Sequence, residues 1–168
     1  TDIILDVSSA EGTTNLITKL KSSRIPLIIG TTGELPYKEL KLYSRFAPVA
    51  VISNFSEGIP VILEWSKIAN NMLDNKWKVA ISEIHHINKI DKPSGTAKSI
   101  NNLFDNKAEI SSKREGDIYG EHKVLLESDL EYIEVFHRAK TRSIFAEGAI
   151  KYLKWITKMK PGYYTKYI

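Results

Sequence analysis

The sequence predicts an α/β protein: a parallel sheet with helices on its faces, followed by an α+β layer. Two observations carry this prediction. Before residue 56, short apolar runs rich in β-branched residues alternate with helical patterns, which is typical of a parallel sheet. After Gly58, the chain shows one long helical pattern and then several strand-like runs. At 168 residues, of which 42% are hydrophobic, the chain is long enough for one or two small domains with a core.

The first part reads as three strands separated by two helices. Its strands are short apolar runs, and its helices place apolar residues three or four positions apart. The predicted strands cover residues 3–7, 26–30 and 49–53; one helix carries Leu16, Ile17 and Leu20 and ends near Ser22, and the other runs from Tyr37 to Phe46.

Small residues, most of them polar, follow each of these three strands. They are Ser8 and Ser9, then Gly30, Thr31, Thr32 and Gly33, and finally Ser53, Asn54 and Phe55. Ligands of parallel sheets bind beyond the carboxyl ends of the strands. Ordinary tight turns would explain any one of these segments, whereas a nucleotide lying across the rim explains all three together.

The second part begins with a long helix and ends with another. The elements predicted in order are a helix carrying Val61, Ile62, Trp65, Ile68, Ala69 and Met72, a strand over Lys78–His85, a helix from Gly95 onward, strands over residues 123–126 and 132–137, and a closing helix over residues 143–159. Ser94 or Gly95 is a plausible N-cap of the middle helix. The mixture of strands and helices predicts an α+β layer.

The segment from Glu83 to Ala97 concentrates the chemistry of this chain. It contains His85, His86 and Lys89, and a Ser-Gly-Thr step leads into the helix. Histidine readily donates a proton near neutral pH, and a helix N-terminus exposes N–H groups that hold a carboxylate or phosphate. The combination suggests a site for an acidic small molecule.

Two other interpretations of this segment remain open at this point. It could be a surface loop with two solvated histidines. It could also be a zinc site, but side chains alternate along a strand, so His85 and His86 should point to opposite sides and suit one metal poorly. The chain has no cysteine to complete a zinc site, and we predict no metal.

Composition argues against several classes of protein. The net charge of +4 is modest, and the late lysines 151, 154, 158 and 160 read as a solvated helix face, so we expect no nucleic-acid partner. No run approaches the roughly 18 apolar residues of a membrane span, and the start does not read as a signal peptide. The absence of cysteine fits a reducing compartment, and we expect a cytoplasmic protein.

The chain resembles the 4-hydroxy-tetrahydrodipicolinate reductase (dihydrodipicolinate reductase) family of the diaminopimelate–lysine pathway. That family carries Glu-x-His-His, a lysine three residues on, Asp-x-Pro and Ser-Gly-Thr-Ala. The matching residues here are Glu83, His85, His86, Lys89, Asp91, Pro93, Ser94, Gly95, Thr96 and Ala97. Further matches lie in order at residues 6–9, 30–33, 53–56, 116–122, 137–139, 142, 145–149 and 160–164. The ordered set spans nearly the whole chain.

The resemblance implies a fold, a reaction and a set of site residues. The expected fold is a partial Rossmann-type domain (1–56 plus 147–168) with an inserted α+β domain (57–146) for substrate binding and oligomerisation, in a homotetramer. The expected reaction is NADH- or NADPH-dependent reduction of a cyclic dicarboxylate. By resemblance, His85 is the general acid and Lys89 assists it. Substrate would be held by His86, Lys89, Ser94, Gly95 and Thr96, and cofactor by Gly30, Thr31, Thr32, Ser53, Asn54 and Phe55. Glu83 and Asp91 would support the site residues or the structure, and His122 and His137 would belong to the fold.

Two departures from the family pattern generate further expectations. A dinucleotide site opens with a strand, a glycine-rich loop and a helix, on the order of 60 residues for which this sequence has no counterpart. We therefore expect an N-terminally shortened reductase, or part of a longer one. The alternative is a non-catalytic module that keeps the dicarboxylate site and the assembly domain but cannot bind dinucleotide. The segment before Gly116 is also shorter than in well-known members, which affects the expected sheet and tetramer interface.

Overall fold

The computed structural model describes residues 2–21, 23–105 and 107–165, which form two compact units. One unit comprises the chain up to Phe55 together with the part from Phe145 onward, and the other runs from Ser56 to Ile144. In chain order the elements are β1 (Ile4–Asp6), α1 (Ala10–Leu20), β2 (Leu27–Ile29), α2 (Tyr37–Tyr43), β3 (Pro48–Val51), α3 (Gly58–Met72), β4 (Lys78–His85), α4 (Gly95–Asn102), β5 (Glu109–Arg114), β6 (Glu121–Glu127), β7 (Tyr132–Arg138), α5 (Ser143–Ile156) and β8 (Gly162–Tyr164). Each helix in the described part of the chain is too short or too polar to span a lipid bilayer.

The first unit is built on a parallel sheet in the order β1-β2-β3-β8. Side chains of β2 alternate between two cores because successive residues of a strand face opposite sides. Leu27 and Ile29 pack in a cluster with residues of α1 and α2, and Ile28 packs in a second cluster with residues of α5. The predicted parallel sheet with helices on its faces is confirmed.

The second unit is a mixed sheet in the order β5-β4-β6-β7. β4 runs parallel to β5 and antiparallel to β6, and β7 is antiparallel to β6. One face is covered by α3 and α4, whose Ile62 and Ile100 pack against Ile81 of β4. Because burial alternates along β4, Glu83 and His85 follow Ile81 on this buried face. The predicted α+β layer is confirmed.

Most sequence-predicted elements are present, with shifted ends. Strand β4 has the predicted bounds, and α4 begins at Gly95 with Ser94 as its N-cap. The second helix ends at Tyr43, before Phe46, because residues 44–46 form a turn, and α5 ends at Ile156, before Met159. The first helix ends at Leu20; Ser22 lies outside the described residues.

Two strands were not predicted. β5 alternates exposed and half-buried residues at the edge of its sheet, and Ile110 is the single large apolar residue within it. β8 is three residues long and follows Pro161. Both are edge strands held by pairing with a neighbour, so their own apolar patterns are weak.

Candidate functional site

Strand β4 places Glu83 and His85 side by side in the interior of the second unit. They are two residues apart on one face of the strand, and only 1% and 7% of their surfaces are exposed. His85 Nδ1 is in direct contact with Glu83 Oε2. A buried histidine paired with a buried carboxylate at the end of a strand is a strong candidate for proton-transfer chemistry.

The Glu83 carboxylate has further donors on its other oxygen. Arg114 Nη1 donates to Glu83 Oε1 over 3.0 Å, and the backbone N–H of Ser94 donates to the same oxygen over 3.3 Å. Burial would raise the pKa of Glu83, but the hydrogen bonds from His85, Ser112 and Arg114 and the charge on His85 outweigh it and lower the pKa to about 2. Glu83 is therefore an anion throughout the physiological range.

The opposite side of the His85 ring faces Gly120 and His122. A Cβ at Gly120, which has φ +150°, would lie 3.2 Å from His85 Nε2, so a side chain there would crowd this nitrogen. The His122 ring packs edge-on against His85 with 5.1 Å between centroids. Burial and the charges of His85 and His137 lower the pKa of His122 to about 3, so His122 is neutral.

His122 and His137 are cross-strand partners on β6 and β7. The Ser94 hydroxyl lies 3.5 Å from His122 Nε2, at the limit of hydrogen bonding, and Ser56 Oγ lies 3.0 Å from His137 Nε2. The sequence interpretation treated both histidines as fold-related. The structure places His122 against the His85 ring, one strand away from β4.

The loop between β4 and α4 carries Lys89 and Asp91. Lys89 Nζ lies 2.6 Å from Asp91 Oδ1, and the backbone N–H of Gly95 also donates to the Asp91 carboxylate. Burial would raise the pKa of Asp91, but the hydrogen bond and charge of Lys89 and the backbone donors lower it. Asp91 therefore occupies two of the donors that the sequence interpretation assigned to a substrate anion.

The remaining predicted substrate residues surround this loop. Ser94 caps α4 by accepting from the N–H of Ala97 over 3.2 Å, and Thr96 is buried in the first turn. His86 lies just beyond the end of β4, so the strand alternation that predicted its direction does not extend to it. Burial lowers the pKa of His86, and the positive charges of Arg142 and Lys89 lower it further.

Sequence reasoning missed Arg114 as a site residue. Its Nε donates to the carbonyl of Lys89 over 3.2 Å and its Nη2 donates to the carbonyl of Asp91, in addition to the Glu83 contact. Arg114 lies opposite His85 in the parallel β4–β5 pairing. Since β5 was not predicted, its pairing with β4 was not predicted either, and no sequence pattern indicated that Arg114 lies opposite His85.

The predicted cofactor residues lie in the first unit, at the carboxyl ends of β2 and β3. Gly30 donates its N–H to the carbonyl of Asp6 over 2.8 Å, and a Cβ at Gly30 would lie 2.5 Å from the Phe55 ring. Thr31 is buried nearby, while Thr32 and Ser53 are exposed and Asn54 is half-buried. The close approach of Phe55 therefore requires glycine at position 30, and the structure brings these two residues together.

Asp6 is a second residue that sequence reasoning missed. Its carboxylate accepts from Thr13 Oγ1 and Ser8 Oγ, each over 2.6 Å, and from the Ser8 N–H over 3.0 Å. Burial would raise the pKa of Asp6, and the hydrogen bonds from Ser8, Thr13 and Thr31 outweigh it. This buried anion fastens the end of β1 to α1 and to the loop after β2.

Within the described part of the chain, one group offers three potential metal ligands close together. Ligand atoms of Glu83, His85 and His122 lie within 4.8 Å of one another. However, the Arg114 guanidinium lies 3.0 Å from the same carboxylate, and its fixed positive charge opposes a divalent cation. We interpret the group as a cluster of buried side chains packed around His85.

Comparison with known proteins places the chain in a family. Residues 58–166 match the family model described as "Dihydrodipicolinate reductase, C-terminus". The 4-hydroxy-tetrahydrodipicolinate reductase of Thermosipho africanus is 40% identical over 166 residues, which are 98% of this chain and 76% of that protein. The enzyme of the same name from Campylobacter fetus is 37% identical over 196 aligned residues, covering 99% of this chain and 75% of that one.

A solved structure agrees at the level of the fold. Dipicolinate-bound dihydrodipicolinate reductase from Paenisporosarcina sp. TG-14 superposes with a TM-score of 0.72 at 18% identity, covering 97% of this chain and 72% of that chain. Together with the sequence relatives, these matches confirm the resemblance on which the site interpretation was based. The chain belongs to the 4-hydroxy-tetrahydrodipicolinate reductase family of oxidoreductases.

Proposed function

We propose that this protein reduces 4-hydroxy-tetrahydrodipicolinate to tetrahydrodipicolinate with NADH or NADPH, in diaminopimelate and lysine biosynthesis. The observation that carries the proposal is the buried Glu83–His85 contact at the end of β4, beside the loop with Lys89 and the start of α4. A proton-transfer group and a set of anion donors are what reduction of an unsaturated dicarboxylate requires. Family membership supports the same reaction.

His85 is the general acid in this proposal. A reduced nicotinamide, when bound, would supply a hydride, and the substrate ring that accepts it becomes electron-rich and needs a proton. His85 is the histidine that contacts an ionised carboxylate, whereas His122 is kept neutral by burial, with a pKa of about 3. The buried position of His85 also limits access of water to its ring.

In this proposal the substrate is held by residues of the loop after β4 and the start of α4, namely His86, Lys89, Ser94, Gly95 and Thr96. Lys89 and the Gly95 N–H now bind the Asp91 carboxylate, so a substrate carboxylate must share or displace it. Lys89 is a compact cation on a flexible stem, which allows it to change partner without moving the backbone. Arg142 adds positive charge near His86.

The first unit would hold the cofactor through residues at the carboxyl edge of its sheet. The proposed contacts are Gly30, Thr31, Thr32, Ser53, Asn54 and Phe55. Two features support the fit. Ligands of parallel sheets bind at this edge. The residue at position 30 is glycine, so the Phe55 ring can lie directly against the backbone there. Buried Asp6 fixes the adjoining turns.

A homotetrameric, cytoplasmic enzyme is part of the same proposal. The face of the second sheet opposite α3 and α4 carries exposed Tyr132 and Phe136 and half-buried Ile84. Exposed large apolar side chains such as these are found at protein–protein contacts, and the charged pairs Lys123–Glu134 and Glu121–Arg138 lie beside them on this face. This supports oligomerisation through the second unit.

Replacement of His85 by Gln tests the proposal. The change keeps a hydrogen-bonding side chain of similar size but removes the transferable proton, so kcat should fall about 10²–10⁴-fold. KM should change little, because His85 acts in the transition state. Binding of pyridine-2,6-dicarboxylate by the variant is the control for folding. A His85→Gln enzyme with more than about half of the wild-type kcat would contradict the general-acid assignment.

A further inference from the structure

We propose that Glu83 and Arg114 are positioning residues that hold His85 with its Nδ1 protonated, so that Nε2 is the atom that delivers the proton. Arg114 also links this carboxylate to the Lys89–Asp91 loop. The proposal rests on the proposed function, since it takes His85 to be the general acid.

The contact with Glu83 determines the tautomer of His85. Glu83 Oε2 contacts Nδ1, and an ionised carboxylate can only accept a hydrogen bond. Nδ1 must therefore carry a proton in both the neutral and the charged ring. In the neutral ring Nε2 is unprotonated, and in the charged ring Nε2–H is the proton that can leave.

Two donors fix the orientation of the Glu83 carboxylate. Oε1 accepts from Arg114 Nη1 over 3.0 Å and from the Ser94 N–H over 3.3 Å. Both partners are donors, so Oε1 is fixed on their side and Oε2 is left for His85. The carboxylate has 0% exposure and the Arg114 side chain 12%, so water offers little competition.

Arg114 also binds the loop between β4 and α4, which carries Lys89 and Asp91. Arg114 uses Nε and Nη2 to bind the carbonyls of Lys89 and Asp91 while Nη1 binds Glu83. One planar guanidinium thus fixes the general acid and the loop bearing the substrate lysine relative to each other. Lysine could not replace it, because an ammonium lacks this planar fork of donors.

The groups facing His85 leave Nε2 as the reacting nitrogen. Glu83 on β4 and His122 on β6 contact the His85 ring, and His86 is its neighbour in the chain. Beyond them, Arg114 on β5 binds Glu83, His137 on β7 packs on His122, and Lys89 pairs with Asp91 in the loop after β4. Gly120 has no side chain that could crowd Nε2.

The proton-transfer step balances with these residues. In charged His85 the Nε2–H bond breaks, and the proton bonds to the substrate ring, which carries the electron pair left by reduction. The imidazole becomes neutral. Nδ1 keeps its own proton, which points at the Glu83 carboxylate. A solvent proton restores Nε2–H before the next turnover.

The tautomer can be measured directly in the full-length protein. With ¹⁵N-labelled histidine, long-range ¹H–¹⁵N NMR spectra distinguish Nδ1–H from Nε2–H rings, and the His85 signals are those lost in His85→Gln. We expect the neutral wild-type ring to be the Nδ1–H tautomer. If the neutral His85 ring of the wild type is instead the Nε2–H tautomer, that spectrum alone overturns the proposal.

Glu83→Gln supplies the matching perturbation. Arg114 and the Ser94 N–H require the amide oxygen, so the amide NH₂ would face Nδ1 and donate to it. We expect His85 to switch to the Nε2–H tautomer and kcat to fall about 10²-fold or more, with KM nearly unchanged. Glu134→Gln is the control, because it removes the Lys123 pair on the same sheet without touching His85.

Arg114→Lys separates the two roles of the guanidinium. A lysine can still neutralise Glu83 but cannot also bind both loop carbonyls, so we expect the Nδ1–H tautomer to persist and KM to rise severalfold. If Glu83→Gln retains both the tautomer and kcat while His85→Gln is inactive, the positioning proposal is wrong and the general-acid assignment stands. If His85→Gln is fully active, the general-acid assignment itself fails, whatever the tautomer.

Discussion

If Lys89 binds a substrate carboxylate as proposed, Asp91 competes for the same lysine, so replacement of Asp91 by Asn should tighten dicarboxylate binding. In the structure the Asp91 carboxylate binds Lys89 Nζ at 2.6 Å and also accepts the Gly95 N–H. A substrate carboxylate must replace this anion or approach it closely. Asn has the same shape, and its amide oxygen can still accept from Gly95, so the α4 N-terminus should keep its structure.

The magnitude follows from the strength of the bond and its exposure. A hydrogen bond between charged groups contributes about 1.5–3 kcal/mol. The Lys89 and Asp91 side chains are 20% and 28% exposed, so solvent screening reduces the cost of giving up this bond. We expect a net gain of about 1 kcal/mol, which corresponds to roughly fivefold tighter binding of pyridine-2,6-dicarboxylate by titration calorimetry.

Two further variants make this test specific. Asp105→Asn is the matched control, because Asp105 also pairs with a lysine two residues away, at 3.4 Å, but both side chains are well exposed. In a Lys89→Ala background, where binding should be weaker by roughly 1.5–3 kcal/mol, Asp91→Asn should bring a smaller gain than in the wild-type background, because no lysine is there to be released. Unchanged or weaker binding by Asp91→Asn in the wild-type background would show that Asp91 builds the site and does not compete for it.

Two stability predictions concern buried residues of the two units. Gly30→Ala places a Cβ 2.5 Å from the Phe55 ring, so thermal unfolding should show a free energy of unfolding lower by about 1–3 kcal/mol. Adding Phe55→Leu should recover part of this loss. Equal stability of the wild type and Gly30→Ala would refute the close approach. The pKa of Glu83 falls from 4.5 to about 2 on folding, so its contribution is complete above pH 4.5 and is lost as the pH falls towards 2. Chemical denaturation over this pH range should show a shallower loss of stability in Glu83→Gln than in wild type, and parallel curves would contradict the assignment.

The sequence predicted those parts of the fold that depend on local pattern. β4 was predicted with its bounds because its residues are β-branched and alternate, and α4 because Ser94 is a strong N-cap. β5 could not be predicted, since Ser111, Ser112 and Lys113 form a strand only by pairing with β4. Register, unlike periodicity, is a property of two strands together.

The same distinction applies to the candidate site. His85 and Lys89 were predicted as site residues from residue type and motif, which depend only on the nearby sequence. Arg114 binds Glu83 although the two residues are 31 positions apart in the chain, and Asp6 binds Thr13 seven positions later. No local sequence pattern encodes these contacts. The occupation of the Lys89 and Gly95 donors by Asp91 likewise depends on the conformation of the loop.

The central claim is that the buried histidine and the Lys89 loop serve reduction of a cyclic dicarboxylate. The most direct measurement is the oxidation of NADH and of NADPH by the full-length wild-type protein, followed by absorbance, with 4-hydroxy-tetrahydrodipicolinate generated in the assay. We expect substrate-dependent oxidation of at least one cofactor, inhibited competitively by pyridine-2,6-dicarboxylate. Oxidation of neither cofactor above the rate without substrate, by folded protein that binds the dicarboxylate, would contradict the claim.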